Sequence, residues 1–490
     1  MGDDRILLER GSTVLRPDPS RVIAKLFLPG QELVASGVSR ADAVIARALA
    51  IDEDEVETVL ADVMDRFDGR HHNLAGILDD HAAMVVHRIP DATTLSVARR
   101  RLIGAYCTQE YAVEAAALFN PSMVPHPDQT GVAEGELRFA MSVRAVGEGH
   151  VSSIEFRTGV ISGRDVRVDE PGRCLVTGRV TPTVLSREYL RNALAPHVPD
   201  PSVADPVLRL LRSHFSVTRV EAAVAGARNG GFVGADSDAV VERIREVARG
   251  HYRLAFPASS PLAERVVYPT GNAERQGMED ARFTPFVDDD GSRTYLGTYT
   301  AFDGREISPR LIRTEDFTTF EVSELIGPAA KNKGMALFPR RVGGRYLALS
   351  RWDRESITLA TSADTHLWDK GPVVQGPGRP WELIQLGNCG PPIETGAGWL
   401  VLTHGVGPVR TYGIGAILLD LDDPSRLLGA LREPLLTADD DERDGYVPNV
   451  VYSCGALVHG DRLVLPYGCS DSSIRFATAD LGALLDKLAG

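Results

Sequence analysis

An acid pair followed by an arginine is the segment of this sequence best suited to acid–base chemistry. Residues 277–284 read Gly-Met-Glu-Asp-Ala-Arg-Phe-Thr, so Asp280 lies beside Glu279 and two positions before Arg282. A carboxylate placed among another acid and an arginine has a pKa that its surroundings can tune, as proton transfer requires. The structural alternative is a salt bridge between Glu279 and Arg282 at the entry of a strand, with Asp280 as a turn residue.

Further motifs follow this segment in a fixed order. They are residues 332–339 (Asn-Lys-Gly-Met-Ala-Leu-Phe-Pro), 390–393 (Gly-Pro-Pro-Ile) with 402–406 (Leu-Thr-His-Gly-Val), and 445–451 (Gly-Tyr-Val-Pro-Asn-Val-Val). The series resembles glycoside hydrolase family 130, the family of β-mannoside phosphorylases and β-1,2-mannosidases. The resemblance covers residues 115–480 or so, and its specificity lies in the order and spacing of the motifs.

The resemblance implies cleavage of a β-linked mannoside with inversion, which needs a proton donor and a nucleophile attacking from the opposite face of the sugar. It makes Asp280 the general acid, acting through a mannose hydroxyl, and inorganic phosphate the attacking co-substrate. The expected reaction converts a manno-oligosaccharide to α-mannose 1-phosphate and a shortened acceptor. One alternative is an inverting β-mannosidase that uses water, with Asp471 or Glu394 as the base. Another is a propeller that binds a glycan without catalysis.

The same resemblance supplies the remaining candidate residues. The phosphate-binding candidates are Lys333, Arg351, His404 and Tyr412. The substrate-binding candidates are Asn120, Arg144, Ser152, Glu279, Arg282, Asn332, Asn449 and Asp471. Neither a metal nor a resident cofactor is expected.

Three positions depart from the pattern of the family. Ala281 replaces the usual proline, which relaxes the backbone but removes no functional group. Gly334 replaces an aspartate after the motif lysine. Ser153, in the pair with Ser152, replaces an arginine that many phosphorylases carry, so one cation of a phosphate site is missing.

The periodicity of the chain changes twice. Helical spacing dominates before residue 105, with start signals at Ser39 and Asp52. Alternating strands begin near residue 117, helical spacing returns at 186–255, and strands with tight turns fill the rest. Five strand–turn–strand units start near residues 118, 278, 333, 388 and 447. Repeats of this length predict an all-β five-bladed propeller over residues 106–490, with a helical accessory region at 1–105 and a helical insertion between blades.

Composition narrows the class of partners. A net charge of −14 argues against nucleic acid, whose phosphates need a basic surface. The sequence has no apolar run long enough to span a membrane, and its first residues do not resemble a signal peptide. The five cysteines are scattered without metal-ligand spacing. These features predict a cytoplasmic protein, and the helical regions suit an oligomer contact.

Overall fold

The computed structural model describes residues 8–30, 33–35, 38–89, 91–196, 198 and 200–490. The chain forms two compact units. One consists of Asp18–Ala115 and Gly172–Thr177, and the other of Met1–Pro17, Ala116–Pro171 and Gly178–Gly490. The domain boundary expected after residue 105 stays a prediction.

The smaller unit is built on four α-helices, which are Arg40–Leu49, Glu53–Phe67, Leu74–Val85 and Val97–Tyr106. The predicted start at Ser39 is confirmed, because its hydroxyl accepts a hydrogen bond from the Asp42 amide and the Asp42 carboxylate caps Ser39 in return. The helix predicted to start at Asp52 begins at Glu53. Ile45, Val85 and Ile103 meet in the core of this unit. Its strands pair Val22–Leu26 with Thr108–Ala112, and Leu33–Ala35 with Val38–Ser39.

The strands of the larger unit fall into five antiparallel groups, called here the first to fifth sheets. The first two groups are joined by the parallel pairing of Gly277 with Ser152 into one 12-stranded sheet. The first sheet contains Ala117–Pro125, Glu136–Val146, Ser152–Ser162 and Asp165–Val168. The second contains Gly277–Val287, Arg293–Phe302, Ile307–Thr314, Thr319–Glu324, Tyr252–Ala255 and Arg179–Pro182. The third contains Ala336–Leu337, Tyr346–Ser350, Ile357–Ser362 and Asp369–Gln375. The fourth contains Gln385–Asn388, Ile393–Thr395, Gly398–Val406, Tyr412–Leu419, Leu427–Ala430 and Leu436–Thr437. The fifth contains Val451–Tyr452, Leu457–His459, Arg462–Cys469, Ser473–Asp480 and Glu9–Leu15.

Each sheet contacts the next, and the fifth contacts the first, so the contacts run in a closed cycle. Backbone hydrogen bonds or a serine hydroxyl mediate every step. The pairs are Phe283 N to Ser122 Oγ (3.1 Å), Val287 N to Pro339 O (2.9 Å), Leu386 N to Glu355 O (3.0 Å), Tyr412 N to Asn449 O (3.0 Å) and Cys454 N to Pro121 O (2.8 Å). Residues far apart in sequence are thereby held near one another.

The strand Glu9–Leu15 is a correction to the predicted organisation. It pairs antiparallel with Ser473–Asp480, with Glu9 opposite Thr478 and Leu15 opposite Ile474, so the start of the chain completes the fifth sheet. Its residues carry no strand signal, because an edge strand with mostly half-exposed residues shows no clean alternation of apolar and polar side chains.

The predicted helical insertion is present. Its α-helices are Arg187–Leu194, Asp205–Leu208, Val220–Asn229 and Ala235–Arg249, and they share an apolar core that includes Leu190, Val207 and Ile244. The end of the predicted range differs, since Tyr252–Ala255 is a strand of the second sheet. A further α-helix, Leu481–Ala489, packs through Leu484 and Leu488 on the core of the fourth and fifth sheets.

Short elements complete the fold. The strands Val184–Ser186 and His214–Ser216 pair with each other, and Val176–Thr177 and Arg265–Val267 are short strands. The 3₁₀ turns are Asp68–Arg70, Val86–Arg88, Ala92–Thr94, Glu148–His150, Pro201–Ala204, Val217–Arg219, Leu262–Glu264, Asn272–Glu274, Pro408–Arg410 and Asp440–Glu442.

Within the described ranges, no helix has both the length and the apolar character needed to cross a bilayer. The same residues contain no group of three His, Cys, Asp or Glu side chains placed to hold a metal ion. The cytoplasmic location and the oligomer contact stay predictions.

Candidate active site

Asp280 lies at a break in the register of its strand. The pairing of Gly277–Val287 with Arg293–Phe302 shifts between Glu279 and Arg282. At the shift Asp280 adopts φ +57°, in the left-handed region that Asp and Asn tolerate better than most residues. A β-bulge of this kind re-aims a side chain out of the normal alternation of the strand. The Asp280 side chain is thus placed by the backbone.

The buried carboxylate of Asp280 is held from the first sheet. Asn120 Nδ2 donates a hydrogen bond to Asp280 Oδ1, and Arg144 Nη1 lies 3.2 Å from the same oxygen. Burial opposes ionisation, but the charges of Arg144, Lys333 and Arg282 and the Asn120 hydrogen bond outweigh it and lower the pKa of Asp280 to about 2. Without a ligand, Asp280 is therefore ionised at neutral pH.

Glu279 binds two cations that come from other sheets. Its Oε1 accepts a hydrogen bond from Arg144 Nη2 at 2.6 Å, and its Oε2 is paired with Lys333 Nζ. The alternative of a salt bridge from Glu279 to Arg282 is therefore wrong. The five side chains Asn120, Arg144, Glu279, Asp280 and Lys333 form one connected group, called here the Asp280 cluster.

Arg282 connects this cluster to the fifth sheet. Its Nη1 donates to the Asp280 backbone oxygen and its Nη2 to the Tyr452 hydroxyl, both at 2.8 Å. The Arg282 side chain is almost completely buried. It therefore contributes positive charge to the site while its hydrogen bonds go to neutral groups.

A second group of side chains comes from the third, fourth and fifth sheets. Arg351 Nη1 lies 3.3 Å from His404 Nε2. The His404 ring lies 4.8 Å from the Tyr452 ring and 6.2 Å from the nearly parallel Tyr412 ring, measured between centroids. Arg351, His404, Tyr412 and Tyr452 are called here the Arg351 group. Through Tyr452 it is joined to Arg282 and so to the Asp280 cluster.

The His404 ring is neutral and accepts a hydrogen bond from Arg351. Burial, and then the charges of Arg351 and Arg282, lower its pKa well below the ordinary value. The side chains that approach Nε2 are Arg351 Nη1 and Gln385 Nε2, each at 3.3 Å, and both are hydrogen-bond donors. Nε2 is therefore assigned as the acceptor, which leaves the ring proton on Nδ1. In this arrangement His404 positions the guanidinium.

Asp471 has a raised pKa. Burial is the main cause and the charge of Asp280 adds to it, while Arg144, Arg410 and Lys333 oppose them, which gives a pKa of about 6. Asp471 lies in the turn between the last two consecutive strands of the fifth sheet and has φ +50°. It therefore changes charge near neutral pH.

Besides Arg282 and Asp471, three predicted residues lie outside these two groups. Asn332 Nδ2 donates to Arg351 O at 3.1 Å, so it supports the loop that carries Arg351. Ser152 is buried beside Gly277, where the first and second sheets meet. Asn449 Oδ1 accepts from Arg443 Nε at 2.9 Å, and it lines a cavity of about 710 Å³ with Thr411 and residues 437–441. These contacts are structural, and a role for any of the three in sugar binding stays a prediction.

The structure also adds two residues that the motifs did not indicate. Tyr452 binds Arg282 and packs on His404, and Gln385 donates to His404. Tyr452 directly follows the motif at 445–451, and Gln385 lies five positions before the motif at 390–393. A tyrosine in a short strand gives no signal of its own. With them, every one of the five sheets contributes a side chain to the site.

Comparison with known proteins places the chain in a family. The family model for glycoside hydrolase family 130, described as beta-1,4-mannooligosaccharide phosphorylase, matches residues 258–489. The 1,2-beta-oligomannan phosphorylase of Thermoanaerobacter sp. (strain X514) is 34% identical over 213 residues, which are 42% of this chain and 70% of that protein. The beta-1,2-mannobiose phosphorylase of Listeria innocua serovar 6a is 33% identical over 230 residues, which are 45% of this chain and 63% of that protein.

A solved structure of the beta-1,2-mannobiose phosphorylase from Listeria innocua, in complex with beta-1,2-mannobiose, aligns with a TM-score of 0.45 and 22% identity. The alignment covers 77% of this chain and 93% of that chain.

The chain belongs to glycoside hydrolase family 130. The resemblance inferred from the motifs is thereby confirmed, as is the prediction of an enzyme of the glycoside phosphorylase or glycoside hydrolase kind.

Proposed function

We propose that this protein catalyses the phosphorolysis of a β-linked mannoside with inversion. A phosphate oxygen forms a bond to the anomeric carbon of mannose as the bond from that carbon to the acceptor oxygen breaks. The acceptor oxygen receives a proton that originates from Asp280, by way of a mannose hydroxyl in the route that the family resemblance implies. The products are α-mannose 1-phosphate and the shortened acceptor.

The observation that carries the proposal is an excess of buried positive charge. Among the described residues, no carboxylate forms an ion pair with Arg351 or with Arg282, although Arg282 is buried and Arg351 is half-buried. A buried cation without a counter-ion is unfavourable unless an anion joins it. Arginine is well suited to phosphate because its planar donors match two phosphate oxygens. Lys333 adds a third cation nearby. Phosphate is therefore the anion proposed to bind at these cations.

The departure at Ser153 bears on this site. Ser153 is buried, so no cation stands at the position where many phosphorylases carry an arginine. In the proposal Arg282 and Arg351 supply the charge that this position lacks.

Phosphate also explains how Asp280 could hold a proton. In the unliganded protein the neighbouring cations keep Asp280 ionised. A bound phosphate dianion neutralises part of that positive charge and adds negative charge nearby, and both effects raise the pKa of a carboxyl group. The proton donor is therefore prepared when the co-substrate binds.

The mannose would be bound on the side of the site opposite the phosphate. Asn120, Arg144 and Asp471 offer an amide, a guanidinium and a carboxylate, the groups that commonly bind sugar hydroxyls. The names of the relatives specify β-mannosides, with 1,2 linkages for the two described above and 1,4 linkages for the family model. Manno-oligosaccharides with these linkages are the proposed substrates.

We further propose that the five sheets are the blades of a five-bladed propeller. The closed cycle of sheet contacts supports it, as does the similar position of one turn in each sheet, which follows the strand that ends at Val146, Phe302, Ser350, Val406 or Cys469. These turns carry residues with left-handed backbone angles, namely His150, Gly304, Arg354, Val409 and Ser470. Each turn lies at the end of its sheet where the site residues are found, as expected if all blades point the same way around one channel.

Hydrolysis remains the second candidate because of Asp471. With a pKa of about 6 it is ionised at neutral pH and could accept a proton from water. Glu394, the other base considered, is half-exposed and paired with Arg340 at 2.7 Å, so it is bound elsewhere.

The anomeric configuration of the product tests the proposal. The protein is incubated with β-1,2- or β-1,4-mannobiose and phosphate, and the products are followed by ³¹P and ¹H NMR. We expect α-mannose 1-phosphate to accumulate. The β anomer, or only free mannose, contradicts the proposal.

A further inference from the structure

Tyr446 and His150 form an exposed aromatic pair at the rim of the site. Tyr446 is 56% exposed, its ring centroid lies 5.9 Å from that of His150 with the planes tilted by 34°, and its hydroxyl lies 3.3 Å from His150 Nδ1. The two residues are 296 positions apart in sequence. The contact therefore depends on the tertiary fold.

The pair is held firmly although it faces solvent. The Tyr446 amide donates to Ser472 Oγ at 2.7 Å, and the next amide, Val447, donates to Ser470 O at 3.0 Å. A Cβ atom added at Gly445 would lie 2.5 Å from Ser472 Oγ, so the segment lies directly against the turn 470–472. His150 is fixed in a tight turn in which its amide donates to Gly147 O at 3.1 Å. A large exposed ring with a fixed position suits binding, since little conformational freedom is lost when a ligand packs on it.

The location of the pair connects it to the site. His150 belongs to the turn that follows the strand of Arg144, and Tyr446 lies against the turn that carries Asp471. The pair therefore bridges the first and fifth sheets at their site-bearing ends. The Arg351 group takes its arginine from the third sheet, its histidine from the fourth and Tyr452 from the fifth. In the cycle of sheet contacts, the first sheet adjoins the second and the fifth, so it lies across the cycle from the sheets of Arg351 and His404.

We propose that Tyr446 and His150 bind the acceptor sugar, the pyranose that leaves when the mannosidic bond breaks. This inference rests on the proposed function, in which phosphate binds at the Arg351 group. Attack with inversion places the nucleophile and the leaving group on opposite faces of the mannose. The leaving sugar thus extends toward the first and fifth sheets, where this pair lies. The apolar C–H face of a pyranose can pack on the Tyr446 ring while its hydroxyls reach water or His150.

In the reverse reaction, the KM for the acceptor sugar and the KM for α-mannose 1-phosphate can be measured separately. With α-mannose 1-phosphate as donor and mannose as acceptor, Tyr446→Ala should raise the KM for the acceptor by about 3- to 10-fold. The KM for α-mannose 1-phosphate should stay unchanged, because that sugar lies inside the site. Tyr446→Phe keeps the ring and should behave like the wild type. Tyr106→Ala is the matched control, since Tyr106 is an exposed tyrosine on a helix of the other compact unit.

Several results would overturn the inference. An unchanged acceptor KM in Tyr446→Ala is one, and an equal rise of both KM values is another, because it indicates a general disturbance of the site. If the wild type shows no phosphate-dependent reaction, the proposed function fails separately, and mannobiose binding is then measured by calorimetry. Weaker mannobiose binding by Tyr446→Ala than by the wild type and Tyr446→Phe supports the role of Tyr446 in sugar binding. Equal binding, or no binding by the wild type, rejects it.

Discussion

Asn120 donates its side-chain amide to the carboxylate of Asp280, and both residues have left-handed backbone angles, φ +50° and +57°. Each lies where the register of its strand shifts, between Phe119 and Ser122 in one case and between Glu279 and Arg282 in the other. Two bulges on neighbouring sheets thus turn an acid and its partner toward each other. Strain of this kind persists where the surrounding structure enforces it, and it often marks a functional site.

The first prediction concerns the acid itself. Asp280→Asn keeps the shape and the tolerance for a left-handed backbone but removes the titrating group, so turnover should fall by about 100-fold or more while sugar binding largely persists. Circular dichroism and steady-state kinetics check it. Asp290→Asn, in an exposed turn of the same sheet, serves as the control. Near-normal turnover of the Asp280 variant would remove it from the mechanism.

The second prediction concerns Lys333. If it contacts phosphate, loss of one charge-assisted hydrogen bond costs about 1.5–3 kcal/mol of binding. Lys333→Ala should then raise the phosphate KM by roughly tenfold or more. Lys331→Ala removes an exposed lysine two residues earlier and should leave the phosphate KM unchanged. Equal phosphate KM values for the two variants would show that Lys333 serves only to hold Glu279.

Arg351 allows a test that needs no turnover. Arg351 is half-buried and has no carboxylate partner among the described residues, so its removal should leave the unliganded protein as stable as before or more stable. We therefore expect Arg351→Met to have an unchanged or higher Tm without phosphate and to lose the rise in Tm that phosphate gives the wild type. Thermal unfolding with and without phosphate measures both, and Arg345→Met provides an exposed control at the opposite end of the strand Tyr346–Ser350. If Arg351→Met retains the full phosphate effect, the anion binds elsewhere.

The raised pKa of Asp471 predicts an acidic limb in the pH profile of kcat/KM. Its pKa is raised from 3.8 to about 6 in the unliganded protein, and kcat/KM reports ionisations of the free enzyme. The ionised carboxylate accepts hydrogen bonds from sugar hydroxyls, so kcat/KM should fall as the pH drops through about 6. Asp471→Asn should lower the plateau and remove that limb. A limb of the same position in the variant would assign the titration to another group.

The same shift has the opposite sign for stability. Because the folded state binds this proton more tightly than the unfolded state, Asp471 stabilises the fold most below pH 3.8 and loses that contribution as the pH rises through about 6. Low pH therefore favours the fold at this residue while it weakens sugar binding.

The sequence identified the parts of the site that carry a motif. Glu279 and Asp280 are adjacent residues of one motif and Lys333 belongs to the next motif, and the three are connected in the structure. The groups that orient them were less visible: Tyr452 and Gln385 act through contacts between sheets, and the spacing of one chain does not reveal which sheets are neighbours. The strand Glu9–Leu15 was missed for a related reason, because it is defined by its partner Ser473–Asp480 and not by its own pattern.

The sequence also could not reveal charge compensation. Arg282 was predicted as a neighbour of the acids, and the salt bridge to Glu279 was a reasonable alternative. Only the structure shows that Glu279 forms ion pairs with Arg144 and Lys333. Arg282 instead donates a hydrogen bond to the Tyr452 hydroxyl. The case for an anion in the site depends on this distribution of partners.

The requirement for phosphate tests the central claim most directly. Purified protein is supplied with β-1,2- or β-1,4-mannobiose, with phosphate and after its complete removal, and free mannose and mannose 1-phosphate are quantified over time. The proposal predicts one mannose 1-phosphate for each bond cleaved and negligible cleavage when phosphate is absent. Release of two free mannose molecules per bond at an undiminished rate without phosphate would contradict it and make water the nucleophile.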